Sequence, residues 1–257
     1  MQVAVITGAS SGIGFATAVK MAESGMAVLG VGRDAVRLAQ LADAIKDPKR
    51  VATLAVDVTA KEAPKQIVDL AVSRWGQIDF LINNAGMGRP KPLHETDDDT
   101  LDMFLNVMLR APFRLSRDAL PHMKKGSAII NVSSTFAVIG GMRGGAYSAA
   151  KAGLTGLTSH IACQYGAAGI RCNAVAPGVI PTPMTEGRMQ DEKFRRLNQE
   201  LTPHHRLGNV DDIASTIAFL CSPGGSFING QVIVVDGGWT ATKYMSDYAL
   251  TSKWSAQ

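Results

Sequence analysis

The chain has 257 residues, 46% of them hydrophobic and 19% charged, a composition that suits one domain of about 250 residues or two small ones and excludes disorder and fibres. Its 26 Lys and Arg against 22 Asp and Glu leave +4, scattered with no run longer than pairs such as Lys124-Lys125 and Arg195-Arg196, so no nucleic-acid partner is expected. Three cysteines (Cys163, Cys172 and Cys221) without metal-type spacing, no basic leader before Val3 and no apolar run near 18 residues point to a reduced, cytoplasmic chain with no membrane partner.

Short β-branched runs alternate with longer stretches of helical period. Strands are predicted at Val3–Thr7, Ala27–Val31, Val51–Val56, Phe80–Asn83, Ala128–Val132, Arg171–Ala176 and Val232–Val235. Between them, helices are predicted after Gly12, after Asp34 as N-cap, at Lys61–Trp75, Asp97–Met123, Tyr147–Gly166 and Val210–Cys221. Runs such as Val-Ala-Val-Ile-Thr and Val-Ile-Val-Val lack polar alternation, the mark of strands covered on both faces in a parallel sheet. The expectation is therefore an α/β fold, one doubly wound domain over residues 1–257. Residues 180–207, with Pro181, Pro183 and Pro203 around a charged helical stretch, form an insertion of the length expected for a substrate lid. Residues 240–257 form a tail whose Tyr244, Tyr248 and Trp254 could cover the pocket or join a neighbouring subunit.

Between the first strand and first helix lies Thr7-Gly8-Ala9-Ser10-Ser11-Gly12-Ile13-Gly14. Glycines let backbone approach a diphosphate, and a helix N-terminus offers unpaired N–H groups with a positive dipole end. Three glycines alone would be an ordinary turn; strand before and helix after make this a nucleotide cradle. An NAD enzyme places a carboxylate about 20 residues further on, at the end of the second strand. Here that strand ends Gly32-Arg33-Asp34. Arg33 suits a ribose phosphate, so NADP(H) is expected over NAD(H). Asp34 is the competing carboxylate, but its place before Ala-Val-Arg-Leu-Ala also suits a helix cap. Arg37 adds charge to the same edge or faces water.

Tyr147 and Lys151 stand four residues apart, about 6 Å along one helical face. An ammonium favours the phenolate and can bring a tyrosine, ordinarily near 10, toward working pH. Taken alone, the pair would be a solvated lysine beside a half-buried tyrosine. It is accompanied, however, by Asp57-Val58, Asn83-Asn84-Ala85-Gly86, Asn106, Ser133-Ser134, Asn173-Ala174-Val175-Ala176-Pro177-Gly178 and Asp236-Gly237-Gly238-Trp239. In that order and over almost the whole length, the chain resembles the short-chain dehydrogenase/reductase family.

The resemblance implies a seven-stranded sheet ordered 3-2-1-4-5-6-7 and a homo-oligomer, usually a tetramer built through long helices starting near Asp97 and Tyr147. It makes Tyr147 the proton donor to a ketone and the acceptor from an alcohol, and Lys151 the group that holds the nicotinamide ribose and lowers the tyrosine pKa. Asn106 then holds a relay water, and Ser134 binds the substrate oxygen. Ser134 fits the pattern 13 residues before Tyr147, which leaves Ser133 as structural. Toward the cofactor it implies Gly8, Ser10, Ser11, Gly12, Ile13 and Gly14 at the diphosphate, Arg33 at the ribose phosphate, and Asp57 with Val58 at the adenine. Asn84, Ala85 and Gly86 would meet the adenosine ribose. Pro177, Gly178, Val179, Ile180 and Thr182 would wrap the nicotinamide.

Each segment has a plainer reading: Asp-Val-Thr as a helix cap, Asn-Asn-Ala-Gly as a turn, Pro-Gly as a loop corner. Their coincidence in sequence is what speaks for a site. The substrate is expected to be a small ketone/alcohol pair. Its pocket walls would come from Met87–Pro92, Phe136–Ala146 and Met184–Leu207, with Phe136, Val138, Ile139, Met142 and Met184 as apolar lining. Arg143, between glycine pairs, is either an anion contact or solvated. His204-His205 has no partner for a metal. Within the family the resemblance is greatest to the 3-oxoacyl-(acyl-carrier-protein) reductases. Those dock the acidic carrier with basic residues near Lys125 and just before Gly169, where this chain has Ala168. A rival without catalysis, a cofactor-sensing regulator, would have no need of Asn106, Ser134, Tyr147 and Lys151.

Overall fold

The computed structural model describes residues 1–88, 91–141 and 143–241. Seven strands, β1 (Val3–Thr7), β2 (Ala27–Gly32), β3 (Val51–Ala55), β4 (Phe80–Asn83), β5 (Ala128–Val132), β6 (Arg171–Pro177) and β7 (Val232–Val235), form one sheet in the order β3-β2-β1-β4-β5-β6-β7. Every neighbouring pair is parallel. The unalternating apolar runs are explained by their burial: β1, β2, β4, β5 and β6 are buried at every position, while the edge strands β3 and β7 are only partly covered.

Alternate residues of one strand feed different cores. Ala4 and Ile6 of β1 pack with Met21 of α1 (Gly12–Glu23), Leu38 and Leu41 of α2 (Ala35–Ile45), and Ile213 and Ile217 of α9 (Val210–Cys221). Val5 points the other way, to Ile67 and Ala71 of α3 (Ala63–Trp75), Leu115 of α5 (Ala111–Ala119) and Ile161 of α6 (Gly145–Tyr165). A fully buried side chain such as Leu29 or Ile82 contributes about 2 kcal/mol relative to exposure. The strand order reverses between β1 and β4, which opens a crevice at the carboxyl ends of the strands.

Caps set several helix starts. The Asp34 carboxylate accepts from Arg37 N at 3.0 Å, and Asp97 accepts from Thr100 N at 2.7 Å to start α4 (Asp98–Leu105). Asn209 and Asp212 close a reciprocal capping box on α9. The long helix expected from Asp97 to Met123 is broken: Asn106–Arg110 form a π-helical turn, α5 begins just before Pro112, and a 3-10 turn covers Leu120–His122. Proline at the second position of a new helical segment lacks the N–H that a continuous α-helix would use, and the widened turn before it absorbs the mismatch. Within residues 180–207, two helices form, α7 (Glu186–Met189) and α8 (Glu192–Glu200), the second capped by Asp191. Of the tail, Thr240 and Ala241 are described; Tyr244, Tyr248 and Trp254, like Met142 and Arg89-Pro90 of the expected pocket walls, lie outside the described residues.

Candidate active site

The crevice holds a groove of about 810 Å³. Its floor is the β1–α1 loop, with Gly8, Ser10, Ser11, Gly12 and Ile13; its far edge is Arg33, Asp34 and Arg37; and Asp57, Val58, Asn84, Ala85, Gly86, Asn106 and Thr182 complete it. These fifteen residues, all singled out from the sequence, therefore face one space.

The loop is shaped for a ligand that needs bare backbone. Gly8 has φ +68° and Gly12 φ +56°, a conformation that favours glycine. A Cβ on Gly14 would lie 2.3 Å from the Gly8 carbonyl oxygen, so Gly14 lets α1 pack onto the loop from below and does not line the groove. Ser11, the N-cap of α1, spends no side-chain hydrogen bond on the first turn, which leaves helical N–H groups for an anion. A nicotinamide dinucleotide fits these donors and this length of groove. Thr7 fixes the geometry: its hydroxyl oxygen accepts from Asn84 N and Ala85 N, each at 3.0 Å, and Asn84 Nδ2 donates to Thr7 O at 2.9 Å. The Asn84 side chain thus ties the β4 loop to the glycine loop. No role for Thr7 was visible in the sequence beyond its place at the head of the glycine segment.

At the groove edge, Arg33 is exposed. Asp34 caps α2 and lies 3.4 Å from Arg37 Nε, so of the two readings of this carboxylate the cap is the one the structure displays. Asp57 accepts from Thr59 N at 2.9 Å and from Thr59 Oγ1 at 2.7 Å. Burial opposes its ionisation, but those bonds and the charge of Arg33 prevail and hold the carboxyl below its ordinary value.

Beside the groove stand the residues expected to do chemistry. Tyr147, half-buried on the first turn of α6, packs edge-on against Phe104 of α4 with ring centroids 6.3 Å apart. Phe104, Met108, Ala146 and Ala150 form the small core that fixes α4 against α6, two residues from Asn106. The Ser134 hydroxyl, two residues beyond β5, accepts from Phe136 N at 3.2 Å and draws the Tyr147 phenol toward a lower pKa. Ser133 turns away and donates to Lys151 O at 3.2 Å.

Lys151 is 4% exposed; its Nζ donates to Val132 O at 2.6 Å and lies 5.9 Å from the centroid of the Tyr147 ring. The expected lowering of the tyrosine pKa by this lysine is corrected here. Burial raises the Tyr147 pKa above 10, against the opposing pull of the Ser134 hydrogen bond and the Arg188 charge. The physical reason is that the Lys151 ammonium is spent on a carbonyl under the ring, and burial pushes its own pKa down to about 8. In the chain alone, both groups are driven toward their neutral forms.

The expected nicotinamide wrap is only partly assembled. Thr182 faces the groove and packs its methyl against Gly12, while Gly178, Val179 and Ile180 border a separate cavity of about 390 Å³ beside Asp236 and α9. Pro177 ends β6 in register with Val235, Gly178 N donates to Val235 O at 3.0 Å, and a Cβ there would meet Asp236, so the segment follows β7 before it turns. The turn is held by Thr185, whose hydroxyl donates to Ile180 O at 2.8 Å and accepts from Thr182 N at 2.9 Å.

Phe136 meets Trp239 edge-on at 6.2 Å, which brings the C-terminal Asp-Gly-Gly-Trp segment to the expected substrate wall. Arg143 is exposed. Arg188, on α7, had no signal in the sequence beyond being one of several lid cations.

A family model described as enoyl-(acyl carrier protein) reductase matches residues 8–240. The chain is 40% identical, over 93% of its length and 97% of the relative, to cis-4-hydroxycyclohexanecarboxylate dehydrogenase of Sinomonas cyclohexanicum. A crystal structure of a short-chain dehydrogenase/reductase (glucose/ribitol dehydrogenase) from Brucella melitensis superimposes with TM-score 0.89 at 34% identity, covering 95% of this chain and 97% of that one. A blue fluorescent protein from a metagenomic library, solved in complex with NADPH, superimposes with TM-score 0.86 at 32% identity, covering 93% and 97%.

Proposed function

Since the chain belongs to the short-chain dehydrogenase/reductase family, oxidoreductases of hydroxyl and keto groups, we propose that it interconverts a small ketone and its secondary alcohol with NADP(H), Tyr147 acting as general acid/base. The observation that carries this reading is the buried Lys151 ammonium held 5.9 Å from the centroid of the Tyr147 ring, at the side of the dinucleotide groove.

In the reduction direction, Ser134 holds the carbonyl oxygen and Tyr147 gives it a proton. A phenol kept neutral by burial is already in the donor form at pH 7. Two hydroxyls aimed at one oxygen stabilise the charge that grows there. When bound, NADPH supplies the hydride. Lys151 lies beneath the ring with its ammonium held by Val132 O, a position suited to the nicotinamide ribose hydroxyls. Asn106 opens the π turn and faces the groove, a position suited to holding water between Lys151 and solvent. NADP(H) over NAD(H) rests on Arg33 and Arg37 at the ribose end, with Asp34 committed to the α2 cap. The NADPH-bound neighbour supports that preference, and the hydroxycyclohexanecarboxylate dehydrogenase supports an alicyclic alcohol or ketone. A homo-oligomer goes with this reading, supported by Phe113 exposed on α5.

Initial rates of NADPH and NADH consumption with a panel of cyclic and short-chain ketones test the proposal. Turnover with NADPH favoured is expected. Tight NADPH binding with no turnover across the panel would instead support the regulator.

A further inference from the structure

The groups described so far deal with the carbonyl and the dinucleotide and leave the cations of residues 180–207 without an assignment. Arg188 sits on α7, four residues after Met184, whose side chain packs beside Gly86 and Gly88 at the groove. Its guanidinium stacks on the Phe194 ring of α8, 5.3 Å from the centroid, and is exposed. Among the described residues it makes no ion pair, a state it shares with Lys193 and Arg195 of α8, but it differs from them in its aromatic stack; Arg196 pairs with Glu200 and Arg206 with Asp212. Its positive charge is felt at the Tyr147 phenol. The expected pocket wall after β5 is apolar: Phe136 meets Trp239 edge-on, and Val138 is exposed.

An aromatic platform orients a guanidinium while leaving its N–H fork free, the arrangement used to receive a carboxylate bidentately. We propose that Arg188 is a specificity-determining residue that binds a carboxylate on the substrate, which makes the substrate a compact oxo or hydroxy acid whose carboxylate lies across an apolar skeleton from the reacting carbon. The assignment rests on Ser134 and Tyr147 as the carbonyl-binding pair. The carboxylate itself is unchanged by the reaction: hydride adds to the carbonyl carbon, and the Tyr147 proton goes to its oxygen. Anchoring the far end of a small substrate fixes which face and which carbon meet the hydride, at a cost in binding rather than in chemistry if the anchor is lost.

The test compares kcat/KM for 4-oxocyclohexanecarboxylate and for its methyl ester, with NADPH, in the wild type, Arg188→Ala and Arg188→Lys. The wild type should favour the acid, Arg188→Ala should shrink that preference by about 10- to 100-fold, mainly through KM, and Arg188→Lys should retain part of it. In parallel, cyclohexanecarboxylate should bind the wild-type NADPH complex and bind Arg188→Ala at least tenfold more weakly. Equal use of acid and ester by the wild type, or an unchanged ratio in Arg188→Ala, overturns the Arg188 assignment and leaves the carbonyl site standing. Turnover of neither ketone overturns the carbonyl site, and the inhibitor titration then still decides for or against Arg188.

Discussion

At Lys151, burial holds an ammonium near 8 where water would give 10.5, while at Tyr147 burial lifts a phenol above its ordinary 10. Both shifts oppose charge, and their consequences for stability differ in pH window. For Lys151, folded and unfolded chains are both protonated below pH 8, so the burial penalty is fully present there. Between about 8 and 10.5 the unfolded chain binds the extra proton and stability rises with pH. For Tyr147 the raised folded value favours the fold up to pH 10 and fades above it. Lys151→Met should therefore gain least, relative to wild type, at high pH. From pH 7 to 10 the difference in unfolding free energy should move toward the wild type by up to about 3 kcal/mol, measurable by urea titration. A difference independent of pH would mean that the ammonium is solvated. The same shifts divide the two reaction directions: ketone reduction should be flat from pH 6 to 8, because the phenol is already protonated, whereas alcohol oxidation should climb through the alkaline range, as read from initial rates. Arg33→Ala should raise KM for NADPH by about 10-fold or more and leave KM for NADH nearly unchanged, a loss of phosphate recognition confined to one cofactor.

The β1–α1 unit is where element geometry bears most on function. Gly14 lets the helix descend until its backbone meets the Gly8 carbonyl; a Cβ there would lie 2.3 Å from that backbone oxygen and 2.5 Å from Asn84 Nδ2, so no rotamer change alone can make room. Gly14→Ala should cost about 1–3 kcal/mol and weaken NADPH binding by at least tenfold, read by denaturant titration and by nicotinamide fluorescence; unchanged binding would show that the cradle tolerates a raised helix. The π turn at Asn106–Arg110 is the corresponding feature of α4 and α5. Helical periodicity from Asp97 to Met123 was legible in the sequence, but periodicity averages over a turn and cannot distinguish a kink from an inserted residue. Strand ends were legible to within a residue, because each strand leaves the core where its apolar run stops.

For the molecule as a whole, the alternation of unalternating apolar runs with amphipathic stretches carried the parallel, doubly wound sheet, whereas its strand order came from the family resemblance. The groove was legible for a related reason: glycine positions and motif order are local facts that the crevice between β1 and β4 merely gathers. What the sequence withheld depends on three-dimensional proximity between distant segments. Thr7 binding the Asn84 loop, Lys151 capping a strand carbonyl, Gly178–Ile180 turning toward Asp236, and Arg188 of α7 stacking on Phe194 of α8 are contacts for which no spacing exists to be read. In the proposed reading, the dinucleotide occupies the crevice, the chemistry belongs to α6 and the segment after β5, and selectivity belongs to the segment from Thr182 to Glu200. The most direct measurement is the single-turnover rate of ketone reduction by Tyr147→Phe preloaded with NADPH. A loss of about 100- to 10,000-fold with NADPH affinity within twofold of wild type is the predicted result, and a rate within tenfold of wild type would contradict proton transfer by Tyr147.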